Sequence, residues 1–216
     1  MLSAAGGCDL AATMRVKTAW KKFRELLPVL TSRHLSYKTR GRVYNTCVRN
    51  AMIHASETWA LTKPNLHRLL RNDRDMIRQI CNIKPEDMVT ISSNARVKPE
   101  DMASVRSSEL LARLGIDDLD AILREKRLRW FGHVARSSGA INNVFNMKKE
   151  GGRQPGRPKM TWKAQLEKDQ REWGLRDVNP LDRDAWKSNV RSAMRAASQL
   201  PGREPTAVED APNPAR

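Results

Sequence analysis

Residues 117–136 read DDLDAILREKRLRWFGHVAR, and this stretch settles the class of fold. Asp117 is a helix-capping residue placed just before an apolar-periodic run. Leu119, Ile122, Leu123, Trp130, Phe131 and Val134 recur at helical spacing and make one side of a long helix ending near Arg136. Arg124, Lys126, Arg127, Arg129 and Arg136 load it with positive charge, opposed within the run by Glu125 alone. Such a face is either merely solvated or holds a polyanion.

The rest of the chain repeats the helical period. Val16, Trp20, Phe23 and Leu27 space a helix over 11–27, ended by Pro28. Ser36 caps a second helix running to about Ala55, with Val43, Cys47, Val48 and Met52 on its inner face and Gly41 counting against its continuity. Thr62 and Pro64 start a third. Its buried stripe is Leu66, Leu69, Leu70, Ile77 and Ile80, with Arg68, Arg71, Arg74 and Arg78 outward. Lys84-Pro85-Glu86-Asp87-Met88 then recurs as Lys98-Pro99-Glu100-Asp101-Met102, a tandem duplication best placed in a tolerant surface loop. A short helix over 108–114 stops at Gly115. Residues 141–147 suit a short strand or extended segment. Helices over 161–173, closed by Gly174, and over 182–198 complete the pattern. From Pro201 onward Pro, Glu, Ala and Asn dominate, which predicts disorder. The expected fold is therefore mainly α. A small helical bundle occupies 1–82, a loop with the duplicated segment 83–107, a basic helical region 108–198 and a disordered tail 199–216.

Composition bounds the partner. Lys and Arg number 40 against 24 Asp and Glu, a formal charge of +16 over 216 residues. Such an excess opposes compaction unless a polyanion offsets it, so nucleic acid is the first candidate and an anionic membrane surface the second. No segment has the length of a membrane span. The opening residues lack a basic stretch followed by an apolar one, so no signal peptide is expected. Six Trp are spread along the chain as local core anchors rather than one cage. Cys8, Cys47 and Cys81 stand far apart, and His34, His54, His67 and His133 lie outside ligand spacing from them. Reduced, buried thiols of an intracellular protein are expected, with no metal and no cofactor.

A catalytic constellation is not legible. Asp73 and Asp75, at i and i+2, point to different helix faces. Asp117, Asp118 and Asp120, and likewise Asp182 and Asp184, fit the first turns of helices. Neither a Gly-rich phosphate loop nor a Tyr-x-Asp-Asp turn occurs, whereas two-metal phosphoryl transfer needs convergent carboxylates. Binding is the better-supported expectation. The segment Gly151-Gly152-Arg153-Gln154-Pro155-Gly156-Arg157-Pro158-Lys159 follows the basic helix. Its core is similar to an AT-hook, except that Pro155 stands where the first Arg would be. Gly156 allows close backbone approach, the two prolines favour an extended path, and Arg157 suits a groove of negative potential. The expected nucleic-acid-binding residues are Arg124, Lys126, Arg127, Arg129, Arg136, Arg153, Arg157 and Lys159, acting mostly on phosphates.

Several strings resemble one family. Trp20-Lys21-Lys22-Phe23-Arg24-Glu25-Leu26-Leu27, Leu35-Ser36, Thr39-Arg40-Gly41-Arg42-Val43-Tyr44 and Ser56-Glu57-Thr58-Trp59-Ala60-Leu61 resemble the thumb region of LINE-type (non-LTR) retrotransposon reverse transcriptases. Arg124 to Val134, ending Leu-Arg-Trp-Phe-Gly-His-Val, resembles the post-thumb linker. Gly156-Arg157-Pro158 with Trp162, and Asp182-Arg183-Asp184-Ala185-Trp186, resemble its C-terminal end. The likeness covers about residues 1–195, interrupted by the duplicated insert. Where this chain has Ala55 the family often has Gly.

The resemblance implies a parent RNA-directed DNA polymerase acting at a nicked target, in which these pieces grip the template–primer duplex and the element RNA or target DNA. It places the palm with its catalytic Asp pair, and the endonuclease, upstream of Met1, and so implies a reading frame begun at an internal Met of a decayed element. The chain alone is then expected to bind RNA or DNA without catalysis, inside the cell and in the nucleus. Two alternatives stay open: a free-standing helical DNA- or RNA-binding protein reused by its host, and an interaction module for acidic protein partners.

Overall fold

The computed structural model describes residues 9–83, 99–147 and 161–199, and among them the fold is α-helical with no strand. The first helix, α1 (Asp9–Glu25), buries Ala12, Val16, Ala19 and Phe23, a stripe at helical spacing. The helix stops at Glu25, short of the expected Leu27, and Pro28 lies in the first turn of a short helix, α2 (Leu27–Leu30). Ser36 caps α3 (Tyr37–Val43), its hydroxyl accepting from the Thr39 N–H at 3.2 Å.

The same run continues through a π-helical turn (Tyr44–Arg49) into α4 (Asn50–Met52). That turn overrides the expected apolar stripe. With the extra residue per turn, Tyr44, Val48, Met52 and Ile53 face inward. Val43 is left half-buried and Cys47 is exposed, not buried as expected. The chain leaves α4 through Ala55, whose φ of 61° is left-handed, and a 3₁₀ turn (Ser56–Thr58).

Helix α5 (Lys63–Ile80) buries Leu69, Ile77 and Ile80 of the expected stripe, and Met76, Asn65 and Asp73 besides, while Leu66 and Leu70 sit at the margin. Helix α6 (Pro99–Leu114) begins inside the second copy of the duplicated segment, so 99–107 are helix and not loop. The signal was present: a proline suits the first helical turn, and Glu100 and Asp101 suit its positive end. The first copy of the duplication lies outside the described residues, as does the tail from 200.

Helix α7 (Leu119–Arg136) is capped by Asp118 rather than Asp117. The Asp118 carboxylate accepts from the backbone N–H groups of Asp120 (3.0 Å) and Ala121 (3.3 Å). Asp117 instead receives the Ser198 hydroxyl at 2.9 Å. Residues 140–146 form a helix, α8 (Ala140–Asn146), where an extended segment was expected. Packing decides it, because Phe145 must meet both Phe131 (5.9 Å between centroids) and Trp162 (5.7 Å). Helix α9 (Trp162–Glu172) is capped by Thr161 and closed at Gly174 (φ 65°). Helix α10 (Arg183–Gln199) is opened by the Asp182 carboxylate, which accepts from the N–H groups of Asp184 and Ala185.

Two apolar clusters hold these helices, and α7 serves both. The larger gathers Phe23, Tyr44, Leu69 and Ile80 with Leu110, Leu114, Leu119 and Leu123. The expected unit at 1–82 is thus completed by α6 and the first half of α7. Trp59 is buried there, and Trp20, at the edge, donates its indole N–H to Asn72 at 2.7 Å. Gly41 makes one crossing possible: a Cβ on it would lie 2.1 Å from the Leu114 carbonyl oxygen. The smaller cluster gathers Leu128, Leu166, Leu175, Trp186 and Val190 around the second half of α7.

Candidate nucleic-acid interface

Helix α7 carries five of the eight expected binding residues, and its surroundings sort them. Arg127 points inward. It is 2% exposed, and its Nε donates to the Asp169 carboxylate of α9 at 2.7 Å, while Gln165 holds the other oxygen of that carboxylate at 3.1 Å. Arg124 is three-quarters or more covered and donates to Asp120 on its own helix (2.9 Å) and to Glu172 of α9. These two cations are neutralised inside the fold. Their assignment to a phosphate-binding surface is therefore corrected: they bind α9 to α7. Asp169 and Glu172, one turn apart on α9, meet the basic run on the side where a polyanion was expected.

The other side of α7 stays open. Arg129 is the most accessible of the set, its side chain 65% exposed, with only a long 3.6 Å contact to Glu125. Lys126 is half-buried and makes no ion pair among the described residues. Arg136 is also half-buried and donates to the Pro180 carbonyl at 2.7 Å, which ties the end of α7 to the approach to α10. Exposed His133 stacks obliquely on half-buried Trp130, 5.3 Å between centroids. Arg153, Arg157 and Lys159 lie outside the described residues.

The Leu-Arg-Trp-Phe-Gly-His-Val string is explained by packing rather than by base stacking. The indole of Trp186 turns its N–H edge toward α7 and donates to the Leu128 carbonyl at 2.9 Å. Phe131 meets it edge-on at 5.6 Å. Gly132 is the seat, since a Cβ there would come within 2.5 Å of the indole ring. Two motifs separated by more than fifty residues, one with this glycine and one with this tryptophan, are thus the halves of one contact.

Sequence reasoning missed a buried polar centre beneath the π-helical turn. Arg49, fully buried, grips Asp73 with two parallel bonds, Nε to Oδ1 at 2.9 Å and Nη2 to Oδ2 at 2.7 Å. Its Nη1 donates to the Asp117 carbonyl at 2.7 Å, just ahead of α7. The Tyr44 hydroxyl donates to the same carboxylate at 2.7 Å. Burial opposes the charge on Arg49, but Asp73 outweighs it, so the guanidinium stays ionised. Burial and then Asp73 push the Tyr44 phenol well above its ordinary range, keeping it a neutral donor. The centre joins α5 to the helix before it and to the start of α7. A carboxylate amid a buried apolar stripe was the one available sign of it.

Among the described residues no three metal-binding side chains converge, and no helix is long and apolar enough to cross a membrane. No family model, no curated protein and no solved structure matches the chain.

Proposed function

We propose that this chain is a nucleic-acid-binding region of a LINE-type reverse transcriptase, the part that follows the catalytic palm, and that alone it binds without polymerising. The observation that supports this best is the solvent side of α7, where Lys126 and Arg129, the latter held only by its long pair with Glu125, stand beside His133 in a chain of charge +16. Cations held on a rigid helix neutralise phosphates, which gives affinity with little base selectivity. The partner is RNA or DNA, the setting intracellular and nuclear, and the AT-hook-like Arg157 segment adds contacts of the same kind.

Binding to labelled duplex and single-stranded oligonucleotides across a salt series tests this. Each neutralised phosphate contributes roughly 0.7 to 0.9 to the slope of log affinity against log salt. Replacing Lys126, Arg129 and Arg157 together by Ala flattens the slope by up to about 2 to 3 units. Absence of salt-dependent binding by the parent chain refutes the proposal. Chelator-sensitive primer extension by the purified chain refutes its non-catalytic part.

A further inference from the structure

One charged feature of the fold is used by none of the contacts above. Arg183, Lys187, Arg191 and Arg195 recur every fourth residue along α10, and all four are exposed. None of them has an ion-pair partner among the described residues. At 1.5 Å per residue the ladder spans about 18 Å, and it turns only about 40° around the helix at each step.

The packing of α10 fixes where this ladder lies. Trp186 reaches Leu128, and Ser198 reaches Asp117, so α10 runs antiparallel along α7. Its inner face is Trp186 and Val190. Two right-handed helices packed in this sense place Arg183, Lys187 and Arg191 on the flank of α10 adjoining the open arc of α7, where Arg129 and Arg136 emerge. Arg136 already leans across that boundary to the Pro180 carbonyl.

We infer that the exposed flank of α10, through Arg183, Lys187, Arg191 and Arg195, is a second phosphate-binding surface that tracks the backbone of a double-stranded nucleic acid and extends the α7 arc. This rests on the nucleic-acid reading proposed above. A duplex fits better than a single strand because single-strand sites pair charge with aromatic stacking platforms. The only aromatic residue of α10, Trp186, is buried with its N–H committed. A row of cations held on a rigid helix, and curving about 40° around it at each step, can follow the winding phosphate backbone of a stiff duplex instead.

The test uses the full chain and four variants: all four α10 positions to Gln, all four to Lys, Lys187→Glu with Arg191→Glu, and Lys126→Ala with Arg129→Ala. The positions are exposed, so thermal melting should match the parent. Fluorescence anisotropy then follows a blunt 20-base-pair duplex, a single strand of the same length and poly-glutamate over a salt series. The Gln variant is expected to lose tenfold or more in duplex affinity and up to about 3 units of salt slope. The double-Glu variant loses more, and the all-Lys variant keeps its binding. Duplex binding by the Gln variant equal to the parent at every salt concentration, with the α7 variant weakened, overturns the α10 surface and leaves the α7 reading standing. No nucleic-acid binding by the parent overturns both. Tighter parental binding to poly-glutamate than to duplex overturns the choice of partner in favour of an acidic protein.

Discussion

Replacing Gly132 by Ala sets two physical effects against each other with opposite signs. In an open helix the change is stabilising by about 0.8–1.0 kcal/mol, because glycine carries the larger backbone entropy cost. Here the new Cβ would stand 2.5 and 2.6 Å from two atoms of the Trp186 indole, and 3.1 Å from the Arg136 Nη1. Carbon contacts settle near 3.5–4.0 Å, so the ring must retreat by roughly 1 Å. That overpacking costs about 1–3 kcal/mol. Drawing the indole N–H away from the Leu128 carbonyl costs about 1 kcal/mol more. The net expectation is a loss of about 1–3 kcal/mol, or several degrees in Tm at roughly 2–4 °C per kcal/mol. Urea denaturation followed by far-UV circular dichroism measures it, and the penalty should shrink in a Trp186→Phe background, where the ring is smaller. A stabilised Gly132→Ala protein refutes the seat, because propensity alone would then account for the site.

Two further substitutions have expected signs. Ala55→Gly should raise stability by about 0.5–1 kcal/mol in the same denaturation experiment: it relieves left-handed strain worth about 1–2 kcal/mol and returns part of this through a looser unfolded chain. Asp73→Ala should cost about 3–5 kcal/mol, since it strands the buried Arg49 guanidinium, and a melting temperature unchanged by it would show that the ion pair is not closed in solution.

The helices were legible because each buries a stripe and most announce their ends. Ser36 caps where the sequence places a cap, the helices read as starting at Thr161 and Asp182 do start at those residues, which cap them, and Gly115 and Gly174 close helices at positive φ. What escaped depends on partners remote in sequence. The π-helical turn that exposes Cys47 ends at Arg49, which reaches Asp73 of α5, a contact that no local period contains. Residues 140–146 became helix because Phe145 had two rings to meet. The binding residues divided for the same reason. Charge was legible along the α7 stretch, but which cations face Asp169 and Glu172 was not, since that depends on which side α9 packs against. The α10 ladder is legible in the sequence as four cations at i, i+4, i+8 and i+12.

A helix shared by two apolar clusters ties the fate of one to the other. When the smaller cluster opens, α7 loses its partners over one half of its length but remains clamped at Leu119 and Leu123, and the reverse holds for the larger. Local opening therefore leaves a half-held helix rather than a released domain, and the backbone amides of α7 should be the last to exchange with solvent. Evolutionary change is channelled by the same arrangement. The stretch between the end of α5 at Ile80 and the start of α6 at Pro99 can lengthen at a chain-closure cost of only about 0.6 kcal/mol per doubling. A single methyl added at Gly132 is expected to disturb more free energy than a doubling of that stretch.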